Sequence, residues 1–296
     1  MTRHEIATDS RMNTDFAQIK GSPSVKSVEI CASVAKNMFF VNVKPDFHIK
    51  HKSIVPILAT IVFLFLLFPF SLSAQSADTT KFVLGKIEYA QHAVFVKIPE
   101  AYANKSGMYL RKEALDAFIL MQKKAKADGV SLTIISACRN FNHQKSIWEA
   151  KWNGTRKVGG KDLSQAIPNA ADRAKEILKY SSMPGTSRHH WGTDIDINSL
   201  SPAYFDSGKG KKEYEWLRDN ATAFGFCQVY SEKGTERKYG YEEEKWHWSY
   251  TPIASQFTQY FKRNMSAKDI SGFAGSDALP FSEVLKYVDG IARDCR

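Results

Sequence analysis

Cysteine is scarce, with four residues in 296. That excludes a small fold built on a dense disulfide framework. Long apolar runs are scarcer still. Only Ile54–Phe70 qualifies, and a polytopic membrane protein needs several such runs. No internal repeat and no low-complexity tract occurs, so repeat arrays are out. No helix-turn-helix, zinc-finger or aromatic–basic repeat accompanies the net charge of +10, so nucleic acid is not the expected partner. What remains is ordinary: 43% hydrophobic, 24% charged and 12% aromatic residues. Disorder, collagen and coiled coil are excluded on that composition, and the length allows one or two domains.

The single apolar run is flanked like an export signal. Lys50, His51 and Lys52 precede it, and the small residues Ser71, Ser73 and Ala74 follow. A basic flank, an apolar stretch and a small-residue cut site are the parts of a secretory signal. The run is slightly long for a signal core and slightly short for a spanning helix. Residues 54–74 are therefore expected to be a signal peptide, cut after Ser73 or Ala74, or else a retained membrane anchor. Residues 1–53 form an N-terminal extension. Met38 would open a basic leader, so the start of translation could lie there. The product would sit in the periplasm or cell envelope, touching membrane only through an uncut anchor. A basic exported protein suits polyanionic surroundings.

Past residue 75 the cysteines are Cys138, Cys227 and Cys295. Three allow one bridge and one free thiol. A Cys227–Cys295 bridge would tie the C-terminal tail to the body; the other two pairings stay open.

Residues 75–108 read as a leader with short strands, and 109–296 as the functional domain with C-terminal helices. Leu110–Asp128 places Ala114, Leu115, Phe118, Ile119 and Ala125 on one face, which predicts a helix. Gly129 suits its end. Val130–Ala137 is β-branched and reads as a strand. Helices are expected over Phe141–Trp152, Ala170–Tyr180, Tyr214–Phe224, Ile253–Lys262 and Phe281–Ile291. Strands are expected over Thr193–Asn198 and Glu244–Tyr250, with a charged turn at Asp206–Lys212. There is no regular βαβ alternation, so the class is α+β.

Two segments concentrate chemistry. One runs Ser187-Arg188-His189-His190-Trp191-Gly192-Thr193-Asp194-Ile195-Asp196, and the other Glu244-Lys245-Trp246-His247-Trp248. A catalytic zinc takes three protein ligands, often two His and one carboxylate, and keeps a position open. His189, Asp196 and His247 can supply that set. Asp194 shares a strand face with Asp196 and could compete for the metal or support it from behind. Glu244 lies three residues before His247. If the backbone bends there, it can act as a general base on water. The alternative is packing, since histidines among tryptophans commonly sit in a core. His190 reads as a neighbour rather than a ligand. Trp191, Trp246 and Trp248 read as packing residues, though Trp248 could line a cleft. Glu242 and Glu243 read as a solvated face.

The first segment resembles the Ser-x-His-x-x-Gly-x-x-x-Asp signature of zinc D-Ala-D-Ala carboxypeptidases of the VanY type, within the LAS and hedgehog-like metallopeptidases. The second resembles that family's Glu-x-Trp-His. A third element, Ser136-Ala137-Cys138-Arg139 with Gln144 five residues later, resembles its Ser-x-x-Arg and downstream Gln. The resemblance spans about 130–250. It implies a small antiparallel sheet flanked by helices, the hedgehog/DD-peptidase-like zinc fold. It implies one zinc per chain on His189, Asp196 and His247, with Glu244 as base and Arg139 on the transition-state oxyanion. Ser187 and Gln144 would contact a peptidoglycan stem peptide. A D-alanyl-D-alanine carboxypeptidase is the expected activity. An endopeptidase cutting an L,D-bond or a cross-bridge uses the same residues, and a non-catalytic hedgehog-like zinc domain would not need Glu244 and Arg139. Two positions depart from the pattern. Asp194 stands where a small residue is usual, and Cys138 where an aromatic is common, so Cys138 could reshape the pocket or bind metal.

Overall fold

A computed structural model describes residues 78–296. The apolar run 54–70, the segment before it and the proposed cut site lie outside the described residues. Among the described residues, no helix is long and apolar enough to cross a membrane.

The strands form two antiparallel sheets. Strands β1 (Phe95–Lys97) and β2 (Tyr109–Arg111) pair as a small ribbon. The main sheet contains β3 (Ile134–Ser136), β4 (Asp194–Ile197), β5 (Phe226–Gln228) and β6 (His247–Tyr250). Its spatial order is β3-β4-β6-β5. From residue 112 onward the helices are α1 (Lys112–Ala127), α2 (Phe141–Trp152), α3 (Leu163–Ala166), α4 (Ala170–Ile177), α5 (Gly208–Asn220), α6 (Thr251–Asn264) and α7 (Phe281–Asp289). The class is α+β, with helices flanking a small antiparallel sheet.

Alternation along β4 divides the sheet's faces. Ile195 and Ile197 point to one side and Asp194 and Asp196 to the other, as a period of two requires. The apolar side packs on α1, whose Leu115, Phe118 and Met121 are buried with Ile134, Phe226 and Trp248. Each such large apolar side chain contributes about 1.5–3 kcal/mol on burial. A second core holds Trp148 of α2, Ile177 of α4, Phe261 of α6 and Val284 and Val288 of α7. The polar face of the sheet lies between these two cores, where it can carry a site.

Local chemistry sets the element ends. Asn140 caps α2 by accepting from the His143 amide at 2.8 Å, and Asn169 caps α4 by accepting from the Asp172 amide at 3.0 Å. Such caps satisfy amides that a helix start leaves unpaired. The chain differs from expectation at 206–212. The expected turn is mostly helix, since α5 begins at Gly208. Gly210 explains this: a Cβ there would fall 2.0 Å from the Tyr204 carbonyl oxygen. Close packing on the Pro202–Phe205 turn starts the helix early, and Tyr204 donates to buried Glu213 at 2.7 Å. The expected strand over 244–250 is shorter, because 244–246 form a turn into β6. Strand β5 was not expected, because three residues carry too little periodicity to register.

Cys227 and Cys295 form a disulfide, which leaves Cys138 as the free thiol. The bridge joins β5 to the C-terminal segment, one of the three pairings the sequence allowed.

Candidate active site

Register across the sheet assembles the site. Asp196 of β4 lies opposite His247 of β6, and Asp194 lies opposite Ser249. His189 comes from the turn that precedes β4. That turn closes at Gly192, with φ of 68°, where a Cβ would meet the Phe95 ring at 2.3 Å. Only glycine fits that left-handed, crowded position.

One nitrogen from each imidazole and one Asp196 oxygen lie within 4.8 Å of one another, and all three residues are buried. His189 Nε2 is 3.5 Å from Asp196 Oδ2, and His247 Nδ1 is 3.4 Å from Asp196 Oδ1. His189 Nε2 and Asp196 Oδ1 have no hydrogen-bond partner. Buried polar atoms are nearly always satisfied, so two orphans pointing at one place mark a ligand-shaped need. Two imidazoles and one carboxylate are the donor set of a divalent metal with an open position.

The outward nitrogens are also fixed. His189 Nδ1 lies 2.8 Å from the Ala137 carbonyl, so it carries the proton and leaves Nε2 free. His247 Nε2 lies 2.9 Å from Asp194 Oδ2, which leaves Nδ1 facing the site. Asp194 is thus a support for His247 rather than a competing ligand. It also accepts from Arg188 Nε at 2.9 Å, and from Ser249 and Thr193 hydroxyls at 2.7 Å each. The remaining Arg188 nitrogens donate to Thr258 and Ser249 at 2.8 Å. Outer contacts of this kind orient metal ligands and tune their basicity.

The electrostatics follow from burial and these neighbours. Burial, then nearby Arg139, pushes the His189 pKa down to about 4. His247 is buried too, but Asp194 and Glu244 outweigh that and raise it to about 9. Burial opposes ionisation of Asp196, yet His189 and His247 bring its pKa to about 2. Arg188 likewise holds the Asp194 carboxyl well below the usual carboxylate range despite burial. Glu244 moves the other way, because burial raises its pKa. A base tuned upward from the ordinary carboxylate value is better matched to proton transfer near neutrality.

Glu244 Oε2 lies 3.2 Å from His247 Nδ1. The turn that carries it is closed by the His247 amide donating to the Glu244 carbonyl at 3.3 Å. Arg139 follows β3; its amide donates to the His189 carbonyl at 3.2 Å, and its carbonyl receives His190 Nδ1 at 2.6 Å. His190 accepts from the Gly185 amide through Nε2, so it belongs to the scaffold. Arg139 Nε is buried without a partner.

Two depressions meet at these residues. The smaller, about 30 Å³, is lined by Gln144, Ser182, Ser187, Tyr230 and Tyr241. The larger, about 520 Å³, is lined by Lys105, His143, Lys151, Arg156 and Trp246. Arg139, Tyr180, Ser181, Glu244 and His247 line both. Gln144 donates to the Ser182 carbonyl at 2.8 Å, while its Oε1 is buried and unpaired. The structure therefore brings all seven expected site residues together: His189, Asp196, His247, Glu244, Arg139, Ser187 and Gln144.

Two expectations change. Trp248 packs in the α1 core as a packing residue, but it is Trp246 that lines the cleft. Cys138 is outside the metal-capable group, beside Gly192. The Arg188–Asp194 pair and Lys151 were not foreseen. Lys151 had a readable signal, since seven residues after Gln144 returns to the same helix face.

The family described as VanY, D-alanyl-D-alanine carboxypeptidase, matches residues 107–253. A D-alanyl-D-alanine carboxypeptidase of Enterococcus faecalis is 33% identical over 129 residues, covering 44% of this chain and 43% of that protein. An uncharacterized protein of Haemophilus influenzae is 31% identical over 107 residues, covering 31% of this chain and 80% of that protein. A Bacillus subtilis relative, YodJ, is 35% identical over 150 residues, covering 48% of this chain and 46% of its own length. The chain thus spans about half the length of the Bacillus and Enterococcus relatives. Among solved structures, VanYB in complex with D-alanine-D-alanine is 25% identical, with a TM-score of 0.41, over 60% of this chain and 92% of that one.

Proposed function

Starting from the chain's membership of the VanY family of D-alanyl-D-alanine carboxypeptidases, we propose that it is a zinc-dependent peptidase of cell-wall stem peptides. Removal of the terminal D-alanine from D-Ala-D-Ala ends is the activity we assign to it. The observation that carries this is the unpaired His189 Nε2 and Asp196 Oδ1 clustered with His247, whose Nδ1 lies 3.2 Å from the Glu244 carboxylate. A purely structural metal site has no use for a third, non-ligating carboxylate with a raised pKa.

His189, Asp196 and His247 would hold the zinc ion. When bound, it supplies Lewis acidity at the scissile carbonyl and makes water a stronger nucleophile at neutral pH. The protein's residues do the rest. Glu244 accepts the proton of the attacking water and passes it to the leaving amine nitrogen. The Arg139 guanidinium faces the oxygen on which negative charge develops. Gln144 Oε1, unpaired and buried, is an acceptor for a substrate amide, and Ser187 stands on the same wall. The same residues would serve an endopeptidase, and the family description is what favours the carboxypeptidase reading. We also propose that the chain acts in the cell envelope, with 54–74 as its signal or anchor.

Glu244→Gln tests the assignment. It is expected to keep one zinc per chain while turnover of a D-Ala-D-Ala peptide falls by about 10²-fold or more. Turnover at the wild-type level with zinc retained would remove Glu244 as the base.

A further inference from the structure

The larger cleft carries positive charge that the reaction above does not use. Lys105, Lys151 and Arg156 line it, beside the Arg139 that the reaction does use. Its carboxylates, Asp196 and Glu244, belong to the metal centre. Among the described residues no ion pair engages Lys105, Arg139, Lys151 or Arg156. Elsewhere lysines find acids readily: Lys112 with Asp116, Lys179 with Glu176, Lys233 with Glu242.

Lys151 is the most telling of the four. It lies on the α2 face that carries Gln144 and buried Trp148. Its ammonium is half-buried and donates to the Ser181 hydroxyl. Burial, then Arg156 and Arg139, bring its pKa down to about 8, against the attraction of Glu244. A cation held against burial and like charges is costly unless an anion joins it. An arriving carboxylate would meet a charge-assisted donor already in place.

The two depressions differ in kind. The smaller is lined mainly by hydroxyls and the Gln144 amide, its one unshared cation, Arg188, being paired with Asp194, whereas Lys105, Lys151 and Arg156 line only the larger. Arg139, Glu244 and His247 stand at their junction, so the bond to be cut sits there. On the peptidase reading the terminal residue enters the hydroxyl-lined side and the preceding residues occupy the large one.

We propose that this enzyme selects acidic peptides: Lys105, Lys151 and Arg156 receive a second carboxylate, carried by a residue upstream of the scissile bond and distinct from the terminal carboxylate. The proposal rests on the peptidase reading. It names a charge preference that the metal-site residues by themselves do not set.

The test uses the full chain loaded with zinc and matched acetylated peptides ending in D-Ala-D-Ala. Each pair carries L-Glu or L-Gln at one of the two preceding positions, so the members differ only in one charge. At one of those positions the Glu peptide is expected to show a kcat/KM about ten-fold higher or more at low salt. The ratio shrinks as salt rises. Lys151→Met and Arg156→Gln are each expected to lower the ratio, and the pair of changes to bring it near one. Arg156 is exposed, so its substitution leaves a folded protein even where that of Lys151 does not. Ratios within two-fold at both positions in the wild type would overturn the proposal, as would a ratio unchanged in Arg156→Gln. Absence of cleavage for every peptide would overturn the peptidase reading instead. Calorimetric Kd values for the same pairs would then decide the charge preference, and equal values would overturn it.

Discussion

Asp194→Asn separates two jobs that one carboxylate performs. The substitution keeps the shape of the side chain and removes its charge. Asp194 and Arg188 are fully buried, with Nε and Oδ2 at 2.9 Å. Removing one partner of such a pair leaves a buried cation and costs about 3–5 kcal/mol. For a domain of this size about 1 kcal/mol lowers Tm by roughly 2–4 °C, so the melting point is expected to fall by roughly 6–20 °C. The second loss is at His247, whose Nε2 sits 2.9 Å from the same carboxylate. Loss of such an outer partner weakens metal affinity by about 10–100-fold. Thermal melts of the metal-free protein read the first effect, and competition with a chromophoric chelator reads the second. Adding Arg188→Met removes the stranded cation, so it is expected to recover much of the Tm but none of the affinity. A single variant that melts within 2 °C of wild type and binds zinc within two-fold would refute the reasoning.

Two further consequences concern protons and the disulfide. In the metal-free protein His247 has a pKa near 9 and His189 near 4. At pH 7 His247 therefore holds a proton that a metal must displace, while His189 does not. Zinc uptake is expected to release about one proton at pH 7 and to tighten as pH rises toward 9. Calorimetry in buffers of different ionisation enthalpy measures that number, and no release would contradict the assigned state of His247. The sign for stability is the reverse. The His247 pKa is higher folded than unfolded, so its contribution in the metal-free protein is fully present below about 6.5 and lost as pH climbs through 9. Replacing Cys227 and Cys295 by serine opens a link between residues 68 apart in sequence. It is expected to cost about 2–4 kcal/mol, read as a lower midpoint in denaturant titration. An unchanged midpoint would place that stabilisation elsewhere.

Much of the site could be read from the sequence because its residues sit in short, punctuated segments. His189, Gly192 and Asp196 lie within one turn and one strand, and Glu244 and His247 within one turn. Helices α1 and α2 were legible because their apolar faces repeat over three or more turns. Strand β5 and the start of α5 were not. One is three residues long, and the other depends on Gly210 packing against Tyr204, a contact distant from any local pattern. The role of Asp194 was left open by sequence, since a strand face holds two carboxylates alike. Only the register that sets Asp194 opposite Ser249, and Arg188 folded back over it, decides which one supports and which one binds. The sequence also underspecified the cleft. Lys105, Lys151 and Arg156 come from a loop, the end of α2 and the loop beyond it, and the tertiary fold alone brings them to one wall.

The most direct test of the central claim is product mass after incubation of the zinc-loaded chain with muropeptides ending in D-Ala-D-Ala. The account predicts loss of a single alanine, abolished by chelator and restored by zinc. Cleavage that persists after the metal is stripped, or no cleavage with one zinc bound per chain, would contradict it.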